Sequence, residues 1–141
     1  MAPKDPKLDL LHSIGLFSRL DRRDLERLGQ LVDEVEVPAG KVLMRQGDTG
    51  SEAFVVVSGR LAVVRSGQPL EDRGPGEIVG EIALLSEGPR TATVTAAERT
   101  RLLVLGHREF HALMDEQPAI RLAVLDELAV RLRSLEDVAA H

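Results

Sequence analysis

The sequence predicts an α+β fold, mainly β, in which a β-rich middle is flanked by helices at both ends. Two observations predict it. Short apolar runs separated by glycine and proline fill residues 35–105, a spacing typical of a barrel or a two-sheet roll. Apolar residues at helical spacing occupy residues 7–32 and 107–138, which indicates amphipathic helices. Because 141 residues suit one hydrophobic core, we expect a single domain over residues 1–141.

The N-terminal helical segment is predicted to break near residue 17 and to continue as a second helix. Asp21 has the position of an N-cap, and Asp24 stands at the third helical position, as in a variant of the capping box. Leu20 and Leu25 occupy the two positions of a hydrophobic staple. These four residues together predict that the second helix begins directly after Asp21.

The strands of the middle segment are predicted from valine-rich runs and from the turns between them. Residues 54–57 and 61–64 are apolar and flank a Ser-Gly pair, which indicates a tight hairpin. Residues 66–69 contain glycine and proline and are predicted as a further turn. Residues 102–105 are predicted as the last strand, more buried than the others.

The C-terminal segment is predicted as two helices separated at Pro118. In the longer helix, Leu125, Leu128, Leu132 and Leu135 recur at helical spacing and form one apolar stripe. Docking of this stripe on the β-rich middle is the favoured interpretation. A dimer seam is the alternative, because the same stripe suits a short coiled coil.

The composition excludes several classes of protein. The chain has no cysteine, which excludes disulfides, thiolate zinc sites and cysteine nucleophiles and fits the cytoplasm, the compartment we expect. No secretory signal and no apolar run of roughly 18 residues is found, so no membrane span is expected. The net charge is −5, and tryptophan and tyrosine are absent. Direct binding to nucleic acid is therefore not expected.

Neither a metal site nor an enzyme active site is expected. His107 and His111 lie one helical turn apart, a spacing that can bind a metal, but no third ligand is evident. We interpret both as solvated surface residues. No histidine lies between Ser13 and Gly106, so an enzyme on a similar roll, such as a cupin, is not supported. No carboxylate pair or nucleophile pattern indicates catalysis.

The segment from Gly76 to Val94 carries the chemistry. Gly80 allows a ligand to approach the backbone, and a short helix is predicted to start at Glu81, where unpaired amides suit an anion. Arg90 follows a Gly-Pro break and can hold two oxygens of a phosphate. A carboxylate at Glu81 would repel a phosphate but can accept hydrogen bonds from sugar hydroxyls. The residues therefore predict a ligand with a phosphate and a neighbouring hydroxyl.

This segment resembles the phosphate-binding cassette of the cyclic-nucleotide-binding family. The matching residues are Gly80-Glu81-Ile82-Ala83-Leu84 and Pro89-Arg90-Thr91-Ala92. Val79 departs from the pattern by replacing an aromatic residue, which we expect to alter packing rather than phosphate contact. Resemblance extends to residues 17–20, 40–48 and 54–59. The fold that it implies is an eight-stranded antiparallel β-roll, a jelly-roll-like barrel flanked by N-terminal and C-terminal helices, with the cassette at residues 78–92.

Residue by residue, the resemblance implies a division of roles within the cassette. Glu81 would hold the ribose 2′-hydroxyl and Arg90 would pair with the cyclic phosphate. Backbone amides would complete the phosphate shell near Gly80, Ile82, Ala83 and Ala92.

Two further residues are implied on the base side of the ligand. Thr91 has the position at which a hydroxyl can touch the phosphate or a guanine amino group. Arg131 resembles the lid residue that covers the base in cation-channel members, and the alternative for it is an exposed helix arginine. Cyclic AMP is the expected ligand and cyclic GMP the alternative, with no other cofactor.

The function implied is that of a cyclic-nucleotide sensor that signals by movement of its C-terminal helices to a partner protein or a second copy. A transcription factor of the catabolite-activator type would need a further helix-turn-helix domain after a long central helix, which we do not expect here, so direct DNA recognition is not expected. A degenerate β-roll kept for protein contacts is the other alternative, against which Glu81 and Arg90 argue.

Overall fold

The computed structural model describes residues 5–140, with the side chains of residues 5–137. It confirms an α+β fold of antiparallel strands flanked by helices. The chain divides into two compact units, one from residues 1–30 and 112–141 and the other from residues 31–111.

The first unit is helical. Helix α4 begins in the second unit and ends in the first. The helices with their bounds are α1 Pro6–Ser13, a 3₁₀ turn Gly15–Phe17, α2 Arg22–Gly29, α4 His107–Glu116 and α5 Pro118–Ala140.

The start of α2 agrees with the capping prediction. The Asp21 carboxylate accepts a hydrogen bond from the Asp24 N–H at 2.9 Å, which satisfies one of the free amides at the helix start. Leu20 and Leu25 are both buried, as the staple prediction requires. The same arrangement recurs at α1, where Asp5 accepts from the amide of Lys7 at 2.9 Å.

Three of the four leucines in the apolar stripe of α5 are exposed. Leu125, Leu132 and Leu135 are 52%, 62% and 65% exposed, so the favoured docking interpretation is wrong for them. The helix instead buries Ile120 and Val124 near its start, and Leu128, which continues the same i, i+4 row, is half-buried. The dimer seam stays a prediction.

The second unit is the β-roll. It holds one short helix, α3 Ile82–Leu85. Its strands are β1 Asp33–Val37, β2 Val42–Met44, β3 Thr49–Gly50, β4 Glu52–Ser58, β5 Leu61–Arg65, β6 Gln68–Pro69, β7 Ile78–Val79, β8 Gly88–Pro89, β9 Thr93–Ala96 and β10 Thr100–Gly106.

Eight of these strands form two four-stranded sheets, in the orders β1-β10-β4-β7 and β2-β9-β5-β6. Strands β3 and β8 form a separate two-stranded ribbon. Within the described residues no strand pairing joins the two sheets, so they form a roll and not a closed barrel. The core lies between the sheets, since buried residues of both contribute to it, including Val56, Leu61, Val63, Val94 and Leu102.

The predicted tight hairpin between residues 54–57 and 61–64 is wrong. Strand β4 pairs with β10 and β7, whereas β5 pairs with β9 and β6. The chain crosses from one sheet to the other at Gly59, which has a φ of 96°. A Cβ atom there would lie 2.7 Å from the Arg99 carbonyl oxygen. Local sequence signals the two strands and the turn but not their partners.

The real two-residue hairpin joins β5 to β6. Ser66 and Gly67 form its turn with φ angles of 50° and 77°, as a type I′ turn requires. The turn predicted within residues 66–69 is therefore shorter than expected, because Gln68 and Pro69 already pair with Arg65 and Val64.

Candidate functional site

A cavity of about 430 Å³ opens within the β-roll unit. All the site residues predicted from the sequence, apart from Arg131, line this one cavity. They are Gly80, Glu81, Ile82, Ala83, Arg90, Thr91 and Ala92.

Arg131 lies in the helical unit. Its Nε is 3.5 Å from Glu127 Oε1, one helical turn earlier on α5, and its guanidinium lies against Gly15. Glu127 also binds Arg19, with 3.2 Å between Arg19 Nε and Glu127 Oε2. The role of Arg131 as a lid stays a prediction.

The backbone at Gly80 has a conformation that glycine favours. Strand β7 pairs with β4 and ends at Val79, and Gly80 then turns the chain with a φ of 76°. A Cβ atom on Gly80 would lie 2.8 Å from the Glu52 carbonyl oxygen and 2.8 Å from Arg90 Nη1. Glycine therefore allows both the turn and the close approach of the Arg90 guanidinium.

Helix α3 follows the turn and begins one residue later than predicted, at Ile82, with Glu81 in the N-cap position. The Ala83 amide already donates to the Gly80 carbonyl at 3.1 Å. The Ile82 amide is the first of the helix, where no carbonyl one turn earlier can accept from it. Of the predicted phosphate-facing amides on α3, that of Ile82 is therefore the better placed to receive an anion.

Arg90 is held in place through both its backbone and its side chain. Its N–H donates to the Asp48 carbonyl at 2.7 Å, and its own carbonyl accepts from the Gly47 N–H at 2.9 Å. Its Nη1 donates to the Glu52 carbonyl at 2.7 Å. A Cβ atom on Gly50 would overlap the Arg90 side chain. The ribbon of β3 and β8 thus fixes the direction of the guanidinium.

The electrostatics of Arg90 suit an anion. Burial lowers the pKa of its guanidinium, and the nearby charge of Glu52 opposes this shift. Within the described residues no carboxylate forms an ion pair with Arg90. A half-buried cation that a protein carboxylate does not neutralise is favourable for binding an anionic ligand.

Part of the cavity lining outside the cassette was missed by the sequence analysis. It combines apolar side chains with two arginines, and its members are Met44, Val63, Arg65, Leu70, Arg73 and Val94. The alternation of β5 contained a signal, because Leu61, Val63 and Arg65 share one face of the strand. Gly50 and Glu52 were missed as well, since their contacts with Arg90 depend on the tertiary fold.

The interpretation of His107 and His111 as solvated surface residues is wrong. Both are half-buried, and their rings stack with centroids 4.0 Å apart. His107 Nδ1 lies 2.7 Å from the Ala83 carbonyl oxygen. Since a carbonyl can only accept, this nitrogen carries the proton. The start of α4 is therefore linked directly to α3 of the cassette.

No group of histidine and acidic side chains within residues 5–137 has the arrangement of a metal site. None of the described helices combines the length and the apolar character that a membrane span needs.

The fold and the cavity together define a ligand-binding β-roll, and comparison with known proteins specifies its family. The profile of the cyclic nucleotide-binding domain matches residues 34–117. The chain belongs to this family, which is a regulatory ligand-binding domain and not an enzyme family.

Solved structures and curated relatives agree with this assignment. The N-terminal domain of a transcriptional regulator from Streptomyces coelicolor superposes with a TM-score of 0.86 at 34% identity, over 92% of this chain and 94% of that one. The regulatory domain of Toxoplasma gondii PKA, crystallised with cyclic AMP, superposes with a TM-score of 0.71 at 33% identity, over 79% of this chain and 46% of that one. A cyclic nucleotide-gated potassium channel of Rhizobium etli is 37% identical over 79% of this chain and 31% of the channel.

The chain spans less than half the length of three curated relatives that it matches. They include a potassium channel, an effector protein and a cyclic AMP receptor protein. What they share with this chain is the nucleotide-binding domain.

Proposed function

We propose that this chain is a cyclic-nucleotide sensor that binds cyclic AMP or cyclic GMP in the cavity of the β-roll. The observation that carries the proposal is the Arg90 guanidinium, which lines the cavity half-buried, aimed by a bond to the Glu52 carbonyl and without a carboxylate ion pair among the described residues. The volume of about 430 Å³ lies within the range of small-molecule sites.

In this proposal the ligand is held from two sides of the cassette. Arg90 binds the cyclic phosphate with the Ile82 amide, while Glu81 accepts from the ribose 2′-hydroxyl. The remaining ligand-binding groups are the amides near Gly80, Ala83 and Ala92 and the hydroxyl of Thr91. For the Ala83 amide to contribute, its bond to the Gly80 carbonyl must give way to the phosphate.

Signal output in this proposal uses the C-terminal helices. Ligand binding at α3 would change the contact between Ala83 and His107, the first residue of α4. This change would shift the equilibrium between two positions of the C-terminal helices. Arg131 would act as the lid over the base. The exposed stripe of α5 would contact a second copy of the chain or a partner protein, in the cytoplasm. Ligand can shift this equilibrium only by its different affinity for the two states.

Isothermal titration of the chain with cyclic AMP and cyclic GMP tests the proposal. We expect saturable binding of at least one nucleotide. Arg90→Ala should weaken it at least about 30-fold, because truncating one partner of a desolvated charge pair leaves the phosphate unpaired. Arg23→Ala is the matched control, since Arg23 is an exposed arginine of α2 and should leave binding unchanged.

Two results would count against the sensor. Absence of binding by both nucleotides, in folded protein freed of any co-purified ligand, would leave a β-roll kept for protein contacts. Binding that survives Arg90→Ala unchanged would place the ligand elsewhere.

A further inference from the structure

The second arm of the cassette, residues 90–93, is bonded to a neighbouring loop at both of its ends. At one end, the backbone of Arg90 bonds to the backbone of residues 47–48. At the other end, the Thr93 hydroxyl accepts from the Gln46 N–H at 3.0 Å. These bonds fix where the arm lies, and they leave its central peptide unit to be oriented by another contact.

That contact comes from Arg65, at the end of β5. Its Nε donates to the Thr91 carbonyl at 3.2 Å. The Thr91 carbonyl and the Ala92 N–H belong to one peptide unit, which is trans. Because a trans peptide is planar, its carbonyl and its N–H point in opposite directions. A bond that holds the Thr91 carbonyl therefore also sets the direction of the Ala92 N–H.

The direction of the Ala92 N–H matters for ligand binding. Ala92 is 4% exposed and lines the cavity together with Arg90 and Thr91. Buried N–H groups need a hydrogen-bond partner, and under the proposed function that partner is an oxygen of the cyclic phosphate. Hydrogen bonds weaken steeply when donor and acceptor are misaligned. A rotated peptide unit at this position would therefore lose part of its attraction for the phosphate.

Arg65 is supported in turn by a contact outside the cavity. The Gln46 side-chain amide bonds twice to Ser66, the residue after Arg65. Its Oε1 accepts from the Ser66 N–H at 2.7 Å, and its Nε2 donates to the Ser66 hydroxyl at 3.2 Å. Ser66 has a φ of 50°, which residues other than glycine rarely adopt, so these bonds stabilise the turn. Gln46 is exposed and is not among the residues that line the cavity.

We propose that Arg65 is a positioning residue of the ligand site, which holds the Thr91 carbonyl so that the Ala92 N–H points at the cyclic phosphate. Gln46 supports Arg65 through the turn between β5 and β6. The inference rests on the proposed function. Because Arg65 acts on the arm that binds the phosphate, its effect is the same for every nucleotide that carries the same cyclic phosphate.

Two variants of Arg65 separate this role from attraction by its charge. Arg65→Met places a methyl group at the position of Nε and removes the donor. Arg65→Gln places an amide nitrogen at that position, so it keeps an N–H donor and loses the charge. In isothermal titration with cyclic AMP and cyclic GMP, Arg65→Met should weaken each nucleotide that the natural chain binds by about five-fold. Arg65→Gln should stay within about two-fold of the natural chain, as should the control Arg23→Met, at an exposed position of α2.

Nuclear magnetic resonance gives a second readout at the Ala92 amide itself. In the natural chain its proton should move downfield when the nucleotide binds, because it enters a charge-assisted bond to the phosphate. This shift should be smaller in Arg65→Met and restored in Arg65→Gln. Gln46→Leu removes the two bonds to Ser66 without altering the cavity lining, so it should change affinity and shift in the same direction as Arg65→Met, to a smaller extent. It also replaces Arg65→Met if that variant fails to fold by circular dichroism.

The other outcomes overturn the inference in distinguishable ways. Unchanged affinity and amide shift in Arg65→Met, with binding still dependent on Arg90, remove the role of Arg65 and leave the sensor intact. Equal losses in Arg65→Met and Arg65→Gln assign the effect to charge. Unequal losses for the two nucleotides assign Arg65 to the base. If the natural chain binds neither nucleotide, the sensor proposal fails and this inference fails with it.

Discussion

The absent side chain of Gly50 makes room for the guanidinium of Arg90. A Cβ atom built on Gly50 overlaps the Nε, Cζ and Cδ atoms of Arg90. The two residues lie on the ribbon of β3 and β8 and directly after it. The direction of the Arg90 guanidinium, which we propose binds the phosphate, is therefore set by a glycine that would not itself touch the phosphate.

Gly50→Ala is expected to weaken cyclic-nucleotide binding at least about ten-fold, because the misplaced guanidinium loses a charge-assisted hydrogen bond to the phosphate. The protein should stay folded, since the Arg90 side chain can swing away. Isothermal titration measures the effect. Gly74→Ala is the control, because a Cβ atom there meets nothing closer than Glu77 Oε1 at 4.0 Å. Equal affinities of the two variants would refute the role of Gly50.

The link between His107 and Ala83 predicts coupling between the cassette and α4. His107→Phe keeps a ring of similar size but removes the donor to the Ala83 carbonyl. We expect the free energy of unfolding to fall by about 1 kcal/mol, the usual net contribution of a hydrogen bond. Amides of α3 should exchange faster with deuterium in the ligand-free protein. In His107→Asn, which retains an N–H donor, exchange of the α3 amides should be closer to that of the natural chain. Identical exchange in the natural chain and both variants would disprove the coupling.

The N-cap of α2 predicts a stability effect away from the cavity. Asp21→Ala should lower the free energy of unfolding by about 1 kcal/mol, because the Asp24 N–H loses its acceptor. Urea denaturation measures it. Asp21→Asn should lower the free energy of unfolding much less, since asparagine caps helices about as well as aspartate. An equal cost for both variants would mean that charge, and not the cap bond, is responsible.

The exposed stripe of α5 predicts an effect on assembly. Leu125 and Leu132 are more than half exposed, so changing both to glutamate should leave the unfolding free energy almost unchanged. If α5 forms the proposed seam, the natural chain is a dimer in sedimentation analysis and the double variant is a monomer. Arg133→Glu, at an exposed polar position of the same helix, is the control. A monomeric natural chain would argue against the seam.

The parts of the fold that the sequence predicted are those set by local chemistry. The cap at Asp21 and the cassette turn at Gly80 each depend on a few neighbouring residues. The false hairpin shows the opposite case. Strand β4 finds its partner β10 more than forty residues later, between Leu102 and Val56 among others, and nothing in the local pattern specifies that pairing.

The missed half of the site has the same explanation. Arg65 and Arg73 belong to the cavity only because β5 pairs with β9 and because Arg73 bridges to Leu61. The stripe of α5 is apolar, but a periodic pattern does not say over which turns of the helix it is buried.

The strand order of the sheet that contains β1 and β4 also bears on how the chain folds. The first strand of the roll pairs with the last, Asp33 opposite Val104, so the sheet that contains β4 lacks its central member until Gly106 has been synthesised. Such distant pairings slow folding, and until they form, β1 and β4 expose unpaired edges that can aggregate. A nascent chain stalled before β10 is therefore the form of this protein most in need of protection by a chaperone.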